Sequence, residues 1–288
     1  MAVGGVVAAG AMAVLTVPFG GSSARAVAGG EKVASDREAP WMATLALKGD
    51  EPLPKRASCG GVLIAPTKVL TAAHCLASGD MPKIAEYHIG ARDQNSDRGQ
   101  VAGIAETRLH PRYELVPSPE DPDNPAASGA RYDIAVVTLD RAVRNVPTLP
   151  LARSELAEGN DATLYGHGLT GPPNPDDPES IRGDVLRSGA YQTRATAECA
   201  KQVPPPVDRG SVLCAQSPSA AACTGDSGGP LVVEREGRRE VAGVFSFGME
   251  TAGKSCGSHG PNFFADVAKL RSWVDAQLVE VGGAREEG

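Results

Sequence analysis

A serine set among glycines, Gly225-Asp226-Ser227-Gly228-Gly229-Pro230, is the stretch best suited to chemistry. Glycine lets backbone approach a reacting carbonyl and take turns that a side chain forbids. In such a turn the N–H groups of Gly225 and Ser227 can point at one spot and hold an oxyanion. Ser227 would be the nucleophile, and a hydroxyl needs a base to activate it. Thr71-Ala72-Ala73-His74-Cys75 offers that base, His74, after the apolar runs Val62-Leu63-Ile64 and Val69-Leu70. Asp133 opens the apolar run from Ile134 to Leu139 and offers an orienter. A carboxylate at a core edge that accepts the second imidazole N–H fixes the tautomer and stabilises the imidazolium.

Each residue alone has a plainer reading. A serine in a glycine-rich turn is more often structural, a lone histidine is usually a satisfied one, and an aspartate before a strand is usually a turn residue. The three in order carry the functional reading. Gly225-Asp226-Ser227-Gly228-Gly229 also fits the Gly-x-Ser-x-Gly elbow of esterases and lipases. Elbow enzymes place their histidine last, whereas here it comes first.

These residues resemble the chymotrypsin/trypsin family of serine proteases, of the secreted, bacterial-type kind. The likeness runs from Val27 to about Trp273. It includes Cys59-Gly60-Gly61-Val62-Leu63-Ile64, Gly166-His167-Gly168 and Ser246-Phe247-Gly248. It implies an all-β fold of two six-stranded antiparallel β-barrels with the active site between them and a C-terminal helix. It implies His74, Asp133 and Ser227 as the triad, with Gly225 and Ser227 as oxyanion donors, in a serine endopeptidase that acts on extended peptides. It implies the disulfides Cys59–Cys75, Cys199–Cys214 and Cys223–Cys256. His88, His110, His167 and His259 have no matching role and read as structural; His167 stands where the family often carries tryptophan.

The resemblance also implies an activation pair, in which a freed Val27 ammonium folds inward onto Asp226. Val27-Ala28-Gly29-Gly30 directly follows Ala24-Arg25-Ala26, so a cut after Ala26 by signal peptidase would create that terminus; a cut after Arg25 is the rival. The primary pocket would be built from Ala221 onwards, Ser246, Phe247, Gly248 and Asn262. Trypsin-like members carry an aspartate at the pocket base, and Ala221 stands there instead. A buried cationic side chain would lack a counter-ion, which costs several kcal/mol, so weak cleavage after Arg or Lys is expected. Gly248 would leave the mouth open to medium or large uncharged side chains, and Asn262 would hydrogen-bond a polar one. The family's calcium loop maps near Ala91–Gln100, where Asp93 and Asp97 do not match the usual acid positions. No cofactor or metal is expected.

The elements that must position these residues follow from composition. The chain has 288 residues, is 41% apolar and carries a net charge of -7. That is enough chain for one large or two small cores. The absence of like-charge blocks removes the footprint of a nucleic-acid binder. Six cysteines fit an oxidising compartment, and none has zinc spacing. Residues 1–26 run apolar and then small, the pattern of a signal peptide, although no basic residue follows Met1. A retained anchor is the alternative. A secreted monomer, free of the membrane once mature, is the expectation. A catalytically silent homologue acting as a binding or adhesion module is the rival of a different class.

Strand-like runs fall at Trp41–Leu47, Gly61–Ile64, Lys68–Thr71, Tyr87–Ile89 and Ile134–Leu139. A second set falls at Thr163–Tyr165, Ser211–Ala215, Leu231–Val233, Val241–Phe245 and Asn262–Asp266. The prolines at 147 and 150 place a link near Arg141–Leu151, so the expected units are 27–145 and 146–288. Leu270, Trp273, Val274 and Leu278 recur at helical spacing. Pro117–Gly129, with Glu120, Asp121 and Asp123, reads as a long loop over the cleft, solvated or favouring basic substrate residues.

Overall fold

The computed structural model describes Met1, Cys256 and residues 27–124, 127–171, 176–177, 182–248 and 258–279. Residues 2–26 of the expected signal peptide lie outside the described residues.

Among the described residues, fifteen strands run in chain order. They are β1 (Glu31–Lys32), β2 (Met42–Leu47), β3 (Ala57–Ala65), β4 (Lys68–Thr71), β5 (Ala85–Ile89), β6 (Gln100–Leu109), β7 (Glu114–Val116) and β8 (Gly129–Arg131). There follow β9 (Ala135–Leu139), β10 (Asp161–Gly166), β11 (Arg187–Arg194), β12 (Val212–Gln216), β13 (Pro230–Arg235), β14 (Arg238–Phe247) and β15 (Pro261–Asp266). A first antiparallel barrel closes in the order β2-β3-β4-β9-β6-β5. A second runs β11-β10-β13-β14-β15-β12, with β12 returning to β11 and β1 added on the outside. The fold is the expected pair of six-stranded barrels. Strands β7 and β8 form a separate hairpin.

Closure follows from alternation: Leu45, Leu63, Leu70 and Tyr87 fill the first barrel, and Leu164, Tyr191, Leu231 and Phe264 the second. Of the twelve barrel strands, sequence patterning missed two. In β11 the inward positions are Arg187, Gly189, Tyr191 and Thr193, so burial alternates without apolar alternation. In β6 most residues are only half-buried or exposed, so no apolar face shows.

One apolar cluster runs through the first barrel to Val244, Ala265, Leu270 and Val274. Trp41 meets Tyr165 of the second barrel edge-on at 5.2 Å, a geometry worth about 0.5–1.5 kcal/mol beyond area burial. The helix Val267–Leu278 starts at Asp266, whose carboxylate accepts from Ala268 N and Lys269 N at 3.1 and 3.2 Å. Capping of this kind satisfies N–H groups that the helix cannot. Its Trp273 reaches His110 of the first barrel at 4.9 Å. The link is anchored on both sides. Leu149 N–H donates to Leu63 of the first barrel, and Val241 N–H of the second donates to Pro150.

Candidate active site

His74 sits in the turn that ends β4, with Leu76 N–H closing on the Ala73 carbonyl at 3.0 Å. Next to it, Cys75 is bonded to Cys59 of β3. Asp133 sits just before β9 in a tight turn, where Ile134 N–H donates to the Tyr132 carbonyl at 2.8 Å. Tyr132 itself has a left-handed φ of +51°, a conformation that costs about 1–3 kcal/mol for a non-glycine residue. The Asp133 carboxylate is buried, with 2% exposure. It accepts the His74 N–H at 2.8 Å, His74 Nδ1–H at 2.7 Å and the Ser246 hydroxyl at 2.5 Å.

Burial alone would push the Asp133 carboxyl up, but the His74 charge and the three hydrogen bonds outweigh it and hold the group below its ordinary value. Burial likewise disfavours the His74 imidazolium, and Asp133 overrides that by charge and hydrogen bond, so His74 is raised above its ordinary value. Among the described residues, the hydrogen bonds of His74 all run to Asp133, leaving Nε2 unengaged.

The Ser227 loop is held by backbone. Its glycines answer to close approaches. Gly228 has φ +80°, and a Cβ there would strike Gly60 O and Thr71 Oγ1; Gly225 has φ +93° and lies against Gly168. Asp226 is fully buried and accepts from Gly168 N at 2.8 Å and Cys223 N at 2.9 Å. The Ser227 carbonyl takes Gly60 N–H of the first barrel at 2.7 Å. Gly60 adjoins Cys59, whose disulfide leads to the neighbour of His74, so the half-buried Ser227 and half-exposed His74 share one corner. Among the described residues, the N–H groups of Gly225 and Ser227 have no protein acceptor, while Asp226 N–H between them donates to Cys223 at 2.9 Å. Two unsatisfied donors, one residue apart and beside a hydroxyl, are what a developing oxyanion needs.

Val27 is fully buried in the second core, against Gly189 and near Tyr191. Ala28 bridges Ala221, whose N–H donates to the Ala28 carbonyl at 2.8 Å. The Val27-Ala28 segment and the Ala221 segment therefore lie side by side. Ala221 is buried, and no acid stands at that position. Asn262 is also buried; its Oδ1 accepts the Tyr191 hydroxyl at 2.8 Å and Ala222 N–H at 3.4 Å. A Cβ added to Gly248 would collide with Asn262 Nδ2. The Asn262 amide therefore stands directly against Gly248. Ser246 lies in β14, and its hydroxyl is turned to Asp133. Sequence reading placed Ser246 in the primary pocket, and nothing local in Ser246-Phe247-Gly248 pointed to a carboxylate 113 residues away. Phe247 is buried against Phe263, stacked at 4.7 Å, under the β8 residue Gly129.

A cleft of about 500 Å³ opens beside Gly225, between Gly60, Leu169, Gly183 and Thr224, with Gln94 and His167 in its lining. His167 Nε2 lies 3.3 Å from the Arg92 carbonyl, and burial takes its imidazole down to about 4, so it is neutral. His88 is buried between the Arg98 carbonyl and Glu86. Ligand atoms of Cys59, His74 and Cys75 lie within 4.8 Å of one another, but both sulfurs are joined in a disulfide and offer no thiolate to a metal. Asp93 and Asp97 turn their carboxylates to the backbone N–H groups of Asn95 and Gly99. The remaining disulfides are Cys199–Cys214 and Cys223–Cys256. No helix among the described residues is long and apolar enough to cross a membrane.

Comparison with known proteins agrees with this fold. The family model described as Trypsin matches residues 28–274. Trypsin iota of Drosophila melanogaster is 28% identical over 247 residues, 83% of this chain and 83% of that protein. Mouse Kallikrein-8 is 27% identical over 253 residues, 85% of this chain and 86% of that one. Human Transmembrane protease serine 5 is 29% identical over 262 residues, 86% of this chain and 50% of that protein. Among solved structures, neuropsin, a serine protease expressed in the limbic system of mouse brain, superposes with a TM-score of 0.68 at 25% identity, covering 86% of this chain and 98% of that one. These relatives are metazoan and lend no support to a bacterial-type subdivision. The chain belongs to the trypsin family of serine proteases, endopeptidases of the hydrolase class.

Proposed function

We propose that this chain hydrolyses peptide bonds by acyl transfer through His74, Asp133 and Ser227. The observations that carry the reading are the hydrogen-bonded His74–Asp133 couple and a Ser227 turn with two unengaged N–H donors, tied together through Gly60 and the Cys59–Cys75 disulfide. His74 Nε2 takes the Ser227 proton as Oγ attacks the carbonyl. The Gly225 and Ser227 N–H groups receive the oxyanion. His74 then protonates the leaving amine, and water repeats the cycle on the acyl-enzyme. Asp133 stays ionised throughout and stabilises the imidazolium.

The substrate is an extended peptide paired to the Ser246–Gly248 edge as an added strand. The primary residue is small and uncharged: Ala221 gives a cation no partner, and Asn262 limits depth. The protein is a secreted monomer, with residues 1–26 as signal peptide and units 27–145 and 146–288 as the two halves of the peptidase. Activation pairs a freed Val27 ammonium with Asp226. Val27 has a φ of +37°, disfavoured for a β-branched residue, and this dihedral ceases to exist once the bond to Ala26 is cut.

Labelling by a fluorophosphonate tests the reading, with Ser227→Ala as control. Wild-type protein starting at Val27 should label at Ser227 and cleave peptides. The variant should do neither, retaining at most roughly 10³–10⁴-fold acceleration over water. An unlabelled, inactive wild type means a silent homologue; hydrolysis surviving in Ser227→Ala means another site.

A further inference from the structure

Tyr132, the residue before Asp133, carries a bulky side chain on a left-handed backbone. L-residues avoid that region, so something must hold it there. The second barrel supplies the hold. Ser211, fully buried just before β12, accepts Tyr132 N–H on its Oγ at 3.0 Å and donates to Asp208 Oδ2 at 2.8 Å. A hydroxyl can accept and donate at once; a methyl group can do neither. The Tyr132 ring is fixed as well, stacked on His110 at 4.9 Å with the Arg112 guanidinium 4.0 Å from its centre. The Ile134 N–H to Tyr132 carbonyl bond then leaves Asp133 at the centre of a three-residue turn. The direction of its carboxylate depends on the dihedral that Ser211 holds.

We infer that Ser211 is a positioning residue for the triad, a latch from the second barrel that keeps Tyr132 left-handed and so aims Asp133 at His74. It touches no reacting atom, and the inference rests on the triad reading given above. Arg112, His110, Arg131 and Asp208 are the charged or titratable groups around Tyr132. They are unchanged in a Ser211 variant, so a shift at His74 reports on Asp133.

The test uses full-length mature enzyme, wild type and Ser211→Ala, with active sites counted by fluorophosphonate and the His74 imidazole titrated by NMR. In Ser211→Ala, kcat per active site should fall about 10- to 100-fold, the penalty of misaligned reacting groups. KM should stay within about twofold, and the His74 titration should move back towards the ordinary imidazole value. Ser211→Thr, which keeps the hydroxyl, should restore both. Adding Tyr132→Asn to Ser211→Ala should restore part, because asparagine tolerates the left-handed region. Should Ser211→Ala not fold, Asp208→Ala leaves the Ser211 hydroxyl unoriented and should shift His74 in the same direction by less. A lowered Tm with kcat and the His74 titration unchanged overturns the latch. The NMR comparison decides this even if wild type hydrolyses nothing, an outcome that would refute the proteolytic reading separately.

Discussion

His74 and Asp133, on the first barrel, are tied to each other by ionisable side chains. Gly225 to Gly229, on the second, are tied by backbone groups around one buried carboxylate, Asp226. The first arrangement sets proton affinity: each partner's charge shifts the other's pKa, and pH decides its state. The second sets shape: the N–H groups that the proposed mechanism aims at an oxyanion are kept free while their neighbours are consumed by Cys223, Gly168 and Gly60. A site of this kind separates the group that moves protons from the groups that wait for charge. Damage to one half should leave the signature of the other intact.

The largest effect should come from the first half. Asp133→Asn should lower kcat by about 10⁴-fold, the loss known for triads given the wrong imidazole tautomer. Wild-type kcat/KM should rise with pH through an inflection above the ordinary imidazole value of 6.5, because His74 acts as base only when neutral and its pKa is raised. The stability term has the opposite sign. A raised His74 stabilises the fold below its unfolded pKa, and that gain is lost as pH rises through the folded pKa. The lowered Asp133 stabilises above its unfolded value of 3.8, and that gain is lost as pH falls through the folded pKa. Urea unfolding and steady-state rates across the same pH series should therefore diverge around His74, one falling as the other rises. Parallel curves would break the distinction between the halves.

The next effect tests the second half. Asp226→Ala strips acceptors from Gly168 and Cys223 N–H and should cost about 3 kcal/mol in urea unfolding, from two buried donors left unpaired. Activity should fall about 10²–10³-fold, as when an oxyanion donor is lost, while the His74 titration stays raised. A His74 shift in this variant would show that the halves are not separable. The smallest effect is in specificity. Asn262→Gly should raise kcat/KM for a large apolar residue relative to alanine by about 10-fold, with the acid inflection unmoved. No change in the ratio would remove Asn262 as the limit on pocket depth.

Much was legible in the chain because it lay in contiguous residues. The Ser227 turn, the His74 turn and the Asp133 strand edge each announce themselves locally, and their order excludes the elbow enzymes. Most strands showed as apolar runs. Strands β6 and β11 did not, because their inward faces are made by solvent-wetted or polar residues such as Arg187 and Thr193. That the Asn262 amide stands against Gly248 was not legible either, because the two lie on different parts of the chain.

The sequence by itself supplied the candidate side chains and their order, since nucleophilicity, basicity and glycine's backbone freedom belong to single residues. Only the tertiary structure decided what orients them. Ser246 reaches Asp133 across 113 residues and Ser211 reaches Tyr132 across 79. A hydrogen bond depends on tenths of an ångström between atoms that barrel closure brings together, and no local pattern of residue types encodes that separation.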